Sequence, residues 1–389
     1  MQSDISASLE TPQIPALNVG IVGGGIVGLA HAWSAAKRGH RVTLFERSSV
    51  SMGASVRNFG MIWPIGQPAG KAYDLALLSR HAWLELAKES EVWVNPCGSI
   101  HLAHRPDEWA VLEEFDSLAA SLGYPCLLLT PEEVLLRSPG ANPAGLLGGL
   151  YSPTELCVNP RHAPRQIANW LAKRYGVMFH FGTTMTAIDS ERLWSSDGRE
   201  WQFDQMVVCG GADFETLFPE LLATAGLKRC KLQMFKTGPQ PDNWKLRTHL
   251  ASGLTLRHYA NFSVCKNLEL LRKRVSEETP ELDHYGIHVM ASQNDLNEVV
   301  LGDSHEYDEA IEPFDKTVID QLMLRELKKV ISLPNWDTIE HWNGIYAKHP
   351  SQPCYTAMPI PNVSVCTATG GSGMTMSFGL AEQMWGNEI

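Results

Sequence analysis

Residues 18–47 constrain the fold of this chain more than any other segment. An apolar run at residues 19–22 has the length of a buried strand, and Gly-Gly-Gly-Ile-Val-Gly follows it directly at residues 23–28. The sequence predicts a helix over residues 29–38 and a second apolar strand over residues 41–45. This succession of strand, glycine turn, helix and strand is typical of the first unit of a dinucleotide-binding fold.

The spacing of the glycines gives each of them a physical role. Gly23 permits the tight turn, Gly25 lets the backbone approach a pyrophosphate, and Gly28 lets the helix pack closely on the strand. The start of the helix then offers unpaired N–H groups to the phosphates. Glu46 ends the second strand, where its carboxylate can accept hydrogen bonds from ribose hydroxyls. These residues predict a bound dinucleotide.

Composition narrows the possible partners. The 389 residues carry a formal net charge of −11, which argues against binding to a nucleic acid backbone. A small anionic substrate is still compatible with this charge, because a local cluster of lysine or arginine can outweigh a distant negative balance. The eight cysteines form no C-x-x-C pair and show no zinc-type spacing, so we predict no metal site.

Hydropathy predicts where the protein resides. Residues 1–16 lack the basic and then apolar pattern of a secretion signal, and no apolar run approaches about 18 residues. We therefore predict a cytoplasmic protein without a membrane span. The oligomeric state stays open.

The middle of the chain mixes glycine-rich segments with strand-like segments. Residues 53–64 are predicted to form a loop against a ligand, and residues 142–153 a crossing between domains. A helix is predicted over residues 315–331. Between residues 228 and 303 the sequence predicts antiparallel sheet, with short strands at 231–237, 255–259, 286–292 and 298–302.

Two later glycine turns repeat the arrangement of the first. An apolar strand at residues 205–209 leads into Gly210, Gly211 and a turn ending at residue 213. A strand at residues 363–368 leads into a second glycine turn, and a helix follows from residue 374. We interpret this last turn as a second ligand-facing helix N-terminus.

These separated segments together resemble the D-amino-acid-oxidase-type FAD flavoproteins, which include glycine oxidase and sarcosine oxidase. The resemblance rests on the first turn with Glu46, on Val-Val-Cys-Gly-Gly-Ala at 207–212, and on Thr-Gly-Gly-Ser-Gly-Met-Thr at 369–375. It covers the chain from about residue 17 onward. Residues 54–68 and 372–379 carry a narrower resemblance to a subgroup of FAD oxidoreductases associated with aminophosphonate breakdown.

The resemblance implies an α/β fold with two interleaved domains. One is a Rossmann-like FAD-binding domain of the glutathione-reductase type, expected at residues 17–90, 155–228 and 305–389. The other is an antiparallel-sheet substrate-binding domain, expected at residues 91–154 and 229–304.

The resemblance also implies a set of FAD contacts that follows the cofactor from its pyrophosphate to its flavin ring. They are Gly23, Gly25, Ile26, Val27 and Gly28 at the pyrophosphate; Glu46 and Arg47 at the ribose; Ser55, Arg57, Asn58, Gly60 and Met61 beside the pyrophosphate and flavin; Met185 at the adenine; Gly210, Gly211 and Gly344 at close approaches of the backbone; and Gly371, Ser372, Gly373, Met374 and Thr375 at the flavin edge. Sarcosine oxidases tether the flavin through a cysteine two residues before a Tyr-Thr pair. Here Cys354 lies one residue before Tyr355, so noncovalent FAD is expected.

Departures from the family pattern concern the substrate. Amino-acid oxidising members often carry an arginine where this chain has Tyr346, which argues against a simple α-amino acid. Lys348 or Arg57 could instead supply charge to a phosphonate, and these two residues with Trp63 and Tyr346 are the predicted catalytic residues. The alternative is that Lys348 and Arg57 contact only FAD or solvent.

Two further positions bear on the reaction. Sarcosine oxidases use a lysine for reaction with oxygen where this chain has Val300, so O2 or another electron acceptor stays open. Of the 14 histidines, His258, His305 and His349 are candidates for the pocket lining, although we interpret each as structural.

The resemblance implies FAD-dependent oxidative deamination of a small amine. The narrower resemblance implies 2-aminoethylphosphonate or its N-methyl derivative, giving phosphonoacetaldehyde. Two alternatives stay open: oxidation of a 2-hydroxy acid or polyol phosphate, and a flavin-binding subunit that is not catalytic alone. A plain NAD dehydrogenase is disfavoured, because it leaves the closing glycine turn unexplained.

Overall fold

The computed structural model describes residues 15–386, so residues 1–14 of the segment inspected for a secretion signal lie outside the described residues. The helices are α1 Ile26–Lys37, α2 Lys71–Glu89, α3 Pro106–Leu122, α4 Pro131–Arg137, α5 Ala163–Tyr175, α6 Pro219–Thr224, α7 Leu268–Glu278, α8 Pro280–His284, α9 Thr317–Val330 and α10 Gly373–Gly386. Among these described helices, none combines the length and the apolar character needed to cross a bilayer.

The strands are numbered in the same way along the chain. They are β1 Asn18–Val22, β2 Arg41–Glu46, β3 Met61–Ile62, β4 Val94–Asn95, β5 Ser99–Ala103, β6 Leu127–Leu129, β7 Gly148–Ser152, β8 Leu156–Val158, β9 Met178–Phe181, β10 Met185–Ile188, β11 Arg192–Ser195, β12 Glu200–Gln202, β13 Gln205–Val208, β14 Lys228–Pro239, β15 His249–Ala251, β16 Met290–Gln293, β17 Glu298–Gly302, β18 Glu306–Asp308, β19 Thr338–Lys348, β20 Tyr355–Ile360 and β21 Val363–Thr367.

The predicted Rossmann-like unit forms a six-stranded sheet in the order β20-β21-β13-β1-β2-β9. All neighbours pair in parallel except β20, which runs antiparallel to β21 at the edge. The central strands are apolar along their length because both faces are covered, and Val19, Ile21 and Leu44 are fully buried. Helix α10 packs on α1 and α2. The predicted α/β fold is confirmed.

The second large sheet has nine strands and is mainly antiparallel. Eight strands follow the order β18-β14-β17-β16-β15-β5-β7-β6, and β19 pairs along β14. The pair of β15 and β5 is parallel. Two smaller sheets contain β10-β11-β12 and β3-β8-β4.

The predicted domain crossing at residues 142–153 is wrong, because β7 lies inside it and pairs with both β5 and β6. Gly145 lies in a turn, but the two glycines of β7 serve close packing. A side chain at Gly148 would run into the ring of Trp109, and one at Gly149 would run into Ile100. A glycine needed for close approach within a strand has the same sequence signature as a loop glycine.

Residues 255–259 also differ from their prediction. They overlap a 3-10 turn at residues 253–257 and form no strand. Helix α7, which the sequence analysis did not predict, follows further along. Only Leu268, Leu271 and Val275 of this charged helix are buried, on a narrow apolar stripe.

Strand pairing places one segment differently from the expected domain boundaries. Residues 306–348 were assigned to the FAD-binding domain, yet β18 and β19 both pair with β14 of the nine-stranded sheet. Helix α9 packs into the core of that sheet through Ile319, Met323 and Leu327. The chain returns to the six-stranded sheet only at β20.

Candidate cofactor and substrate site

Three glycine turns meet at one edge of the six-stranded sheet. Strands β21, β13 and β1 are adjacent and parallel, so their carboxyl ends share that edge. Residues from the turns that follow them, at 23–28, 210–213 and 369–373, line one cavity of about 1110 Å³. The fold therefore brings together turns that lie far apart in the sequence.

The first turn is possible only with glycine at two positions. Gly23 has a φ of +107°, and a Cβ there would overlap the carbonyl oxygen of Cys209. A Cβ at Gly28 would overlap the carbonyl oxygen of Gly23. Gly28 thus allows helix α1 to pack against the turn. A cofactor contact was predicted for Gly28 and Gly60, but neither residue lines the cavity.

The N-terminus of α1 faces the cavity. The helix begins at Ile26 after an extended Gly25, and no side chain of the preceding residue caps it. The Ile26 N–H donates to the Ser55 hydroxyl at 2.9 Å, which ties the helix to the loop at residues 53–64. The following N–H groups have no partner within the helix, so this end is suited to an anion.

Glu46 is held in place by two backbone groups. Its Oε2 accepts from the Gly24 N–H at 2.8 Å, and its Oε1 accepts from the Ser48 N–H at 2.9 Å. Arg47 was expected at the ribose. It lines the cavity and pairs with Asp213, with 2.8 Å between Nη1 and Oδ2, which links β2 to the second glycine turn.

The closing turn is fixed by the segment around residue 65. The Gln67 side-chain amide donates to the Ser372 hydroxyl at 3.1 Å, and the Trp63 N–H donates to the Thr375 hydroxyl at 2.9 Å. The Trp83 indole N–H donates to the carbonyl oxygen of Met374 at 2.9 Å. These bonds set the start of α10 against the cavity.

These residues fit a dinucleotide such as FAD. A Cβ at Gly25 would lie 3.0 Å from the Ser55 hydroxyl, so glycine keeps the cradle open. The pyrophosphate would lie at Gly25 and the start of α1, the ribose at Glu46, and the flavin edge at residues 371–375. The other predicted cofactor residues on the same wall are Val27, Arg57, Asn58, Met61, Met185, Gly210, Gly211 and Gly344.

Cys354 does not itself line the cavity, although it is buried beside Cys366, which does, with 3.8 Å between the two sulfur atoms. Noncovalent binding of FAD stays a prediction.

All four predicted catalytic residues line the cavity. Arg57 donates from Nη1 to the carbonyl oxygen of Asn343 at 3.3 Å, so part of its guanidinium anchors the loop to β19. Trp63 is buried, and its ring packs on that of Tyr259 with 6.0 Å between ring centres. Lys348 is exposed, and its ammonium lies 3.3 Å from the Tyr307 hydroxyl.

Tyr346 was predicted to occupy the position at which amino-acid oxidising members often carry an arginine. Its side chain is buried, and burial first, with the neighbouring Cys230 and Tyr307, holds the pKa of the phenol well above its usual range. The residue is a neutral hydroxyl beside Gly371 of the closing turn. It can donate or accept a hydrogen bond, and it supplies no charge.

Three histidines lie together among the residues that line the cavity. His258 and His305 were predicted candidates for the pocket lining, whereas His288 and the proximity of the three rings were not predicted. His258, His288 and His305 have ring centres 3.8 to 4.8 Å apart. Burial lowers the pKa of His305 to about 4, and burial first also holds the pKa of the other two well below the usual range. His288 precedes β16, His305 follows β17, and His258 follows the 3-10 turn at residues 253–257, so no single local motif contains all three.

Curated proteins similar to this chain include a glycine oxidase and a tRNA-modifying protein. The chain is 32% identical over 206 residues to glycine oxidase from Geobacillus kaustophilus, covering 50% of this chain and 54% of that protein. It is 28% identical over 217 residues to the tRNA 5-methylaminomethyl-2-thiouridine biosynthesis bifunctional protein MnmC from Aeromonas salmonicida, covering 51% of this chain and 31% of that protein. The match thus spans about half the length of the first relative and less of the second.

Solved structures share the fold over nearly the whole chain. Glycine oxidase from Geobacillus kaustophilus superposes with a TM-score of 0.74 at 19% identity, covering 96% of this chain and 94% of that one. L-proline dehydrogenase from P. horikoshii superposes with a TM-score of 0.73 at 18% identity, covering 97% and 95%. At these identities the superpositions establish the fold alone.

The model of one family covers the same extent of the chain as this fold. It carries the description FAD dependent oxidoreductase and matches residues 18–384, which include all three glycine turns and both large sheets. The prediction of FAD as the cofactor is thereby confirmed. The chain belongs to the FAD dependent oxidoreductase family.

Proposed function

We propose that this protein uses FAD to oxidise a small amine that carries an anionic group. The observation that carries the proposal is the cavity itself, which is lined both by the glycine turns and by Lys348. The best candidate substrates are 2-aminoethylphosphonate and its N-methyl derivative, which would give phosphonoacetaldehyde. The names of the relatives support an amine, since they include a glycine oxidase and a dimethylglycine dehydrogenase.

Bound FAD would supply the hydride acceptor that turns the amine into an imine, which water hydrolyses to a carbonyl compound and ammonia or an alkylamine. The chain would orient the amine and keep it uncharged, because an ammonium cannot release a hydride. The buried rings of Trp63 and Tyr346 exclude water from the same wall.

The anionic end of the substrate has a separate partner. The Lys348 ammonium is a compact point charge, which suits the three oxygens of a phosphonate better than the planar, two-point grip that an arginine gives to a carboxylate. This chain has Tyr346 at the position where the resemblance places that arginine. A phosphonate therefore fits this wall better than an α-carboxylate does.

The test is anaerobic reduction of the purified FAD enzyme. We expect 2-aminoethylphosphonate or its N-methyl derivative to bleach the visible flavin absorbance faster than glycine or sarcosine does at equal concentration. Readmitting air then separates an oxidase, whose absorbance returns at once, from a dehydrogenase that needs another acceptor.

Two outcomes would overturn the proposal. Bleaching by a 2-hydroxy acid or a polyol phosphate, and by none of the amines, would assign the cavity to oxidation of a hydroxyl group. A flavin that stays oxidised with every compound, in a protein that co-purifies with a stable second chain, would indicate a subunit that is not catalytic alone.

A further inference from the structure

The cavity contains a group of potential metal ligands that no cofactor contact explains. One ring nitrogen from each of His258, His288 and His305 (the histidine cluster) lies within 4.8 Å of the others. We propose that the histidine cluster binds one divalent transition-metal ion of the Zn²⁺ type, with an open coordination position that faces the cavity. This reverses the expectation of no metal site, which rested on cysteine spacing.

His305 is already oriented as a metal ligand. Its Nδ1 lies 3.2 Å from the carbonyl oxygen of Gly286, and because a carbonyl can only accept, Nδ1 carries the proton. The lone pair is therefore on Nε2, the atom that faces Asp303 at 3.9 Å from its Oδ2. Metal-binding histidines commonly donate their second N–H to a backbone carbonyl in this way.

His288 supplies an independent observation. Its side chain is 2% exposed, and neither ring nitrogen has a hydrogen-bond partner among the described residues. Leaving both nitrogens of a buried imidazole unpaired is unfavourable, and stacking against His258 satisfies neither of them. A bound metal ion would satisfy one.

A buried carboxyl group lies beside the histidine cluster. The Oδ2 of Asp303 is 3.9 Å from His305 Nε2, and its Oδ1 is buried and has no hydrogen-bond partner among the described residues. His258 opens onto the cavity although protein surrounds it deeply. Three neutral imidazoles with one open position form the donor set of catalytic zinc sites.

The open position suggests how the metal acts, in a step that rests on the function proposed above. An oxygen of the substrate's phosphonate would occupy it, on the same wall as Lys348. The metal and Lys348 would then share the anionic end and leave the amine free to face the flavin. Oxygen anions are ordinary ligands of Zn²⁺.

The test counts metal ions on the FAD-loaded enzyme. The protein is stripped with a chelator, incubated with Zn²⁺, freed of unbound metal and measured by mass spectrometry of the elements. We expect about one ion per chain in the native protein. In His288→Phe and His305→Phe we expect a loss of affinity of more than about 100-fold. Phenylalanine keeps an aromatic ring for stacking and removes the ligand.

Controls separate a metal site from a folding defect. His81→Phe, at an exposed histidine of α2, should bind metal as the native protein does. His258→Phe provides a third cluster variant at the position that opens onto the cavity and is least packed. Native-like FAD content in each variant shows that the fold is intact. Native protein without stoichiometric metal, or cluster variants with native affinity, would overturn the proposal.

A second measurement separates this inference from the proposed function. Removing the metal should raise KM for an aminophosphonate by about 10-fold or more. It should leave KM unchanged for an amine that carries no anionic group. Equal KM values with and without bound metal would keep the metal site and refute its role toward the substrate. If one ion is bound and no amine reduces the flavin, the proposed function fails and the metal site stands.

Discussion

The two large sheets hold their cavity-facing groups in different ways. The six-stranded sheet presents backbone: glycine turns, the start of α1 and a carboxylate fixed by two N–H groups. The nine-stranded sheet presents side chains, among them Tyr346, Lys348 and the histidine cluster. A backbone site leaves little freedom in sequence, because only glycine fits its closest approaches. A side-chain site can change its chemistry while the sheet stays the same.

This difference separates two kinds of failure. Changes at the first sheet should abolish cofactor binding, and with it every activity. Changes at the second sheet should leave FAD bound and alter which substrate reacts. The predictions below test that separation, beginning with the largest expected effect.

Gly28→Ala should cause the largest loss. The added Cβ would overlap the carbonyl oxygen of Gly23, so α1 would have to move away from the glycine turn. We expect FAD affinity to fall by more than about 100-fold, or roughly 3 kcal/mol, as for overpacking against a rigid backbone. The measurement is the FAD dissociation constant by quenching of flavin fluorescence.

Gly386→Ala is the matched control in the same sheet region. Its Cβ would lie 3.5 Å from Arg38 Nη2 at the end of α10, an ordinary contact, so FAD affinity should stay native. If the FAD dissociation constant of Gly28→Ala were within about threefold of the native value, α1 would be free to shift. A rigid backbone at the glycine turn would then not determine FAD binding.

Glu46→Gln should have a smaller effect on the same property. A glutamine keeps one accepting oxygen, and its NH2 accepts from neither the Gly24 nor the Ser48 N–H group, so one of these two bonds is lost together with the charge. We expect FAD affinity about 30-fold weaker, near 2 kcal/mol, with normal substrate preference in the protein that retains FAD. Glu91→Gln, at an exposed position, is the control. Native FAD affinity in Glu46→Gln would remove the ribose contact from the proposal.

Much of the first site could be predicted from the sequence, but only part of the second. Gly23, Gly25 and Glu46 lie within one strand-turn-helix-strand unit, where local spacing determines geometry. His288 and His305 flank the hairpin of β16 and β17, whereas His258 follows a 3-10 turn that lies earlier in the chain, and no short-range pattern brings it to the other two. The misplaced crossing at 142–153 has a related cause, since strand glycines that allow close packing resemble turn glycines.

Lys348→Met tests the second sheet. The methionine keeps a long unbranched side chain and removes the ammonium beside Tyr307. We expect KM for an aminophosphonate to rise about 10-fold while FAD affinity stays native, because the lost group binds only the anionic end. Lys71→Met, exposed at the start of α2, is the control. A loss of FAD in Lys348→Met would show that Lys348 contributes to cofactor binding. Cofactor binding and substrate preference would then not be divided between the two sheets.

The smallest expected effect is a pH dependence of the stability of the folded protein, which arises from His31 beside the six-stranded sheet. His31 is fully buried in α1, and the Trp385 indole N–H of α10 donates to its Nδ1 at 3.2 Å. The imidazole is therefore neutral in the folded protein, and burial lowers its pKa from 6.5 to about 4. Because the unfolded chain takes up the proton more readily, this group's contribution to stability is present above about pH 6.5 and lost as the pH falls toward 4.

Between about pH 7.5 and pH 5.5 this loss is on the order of 1 kcal/mol, which for a chain of this length corresponds to a Tm decrease of about 1–2 °C. His31→Leu should reduce the difference between the Tm values measured at these two pH values by that amount, and exposed His81→Leu should leave it native. Other buried histidines, such as His101, contribute equally to both proteins and cancel. An unchanged Tm difference in His31→Leu would mean that the folded protein accepts a charged His31. The contact between α1 and α10 would then tolerate displacement, and the first sheet would be less rigid than its glycine turns imply.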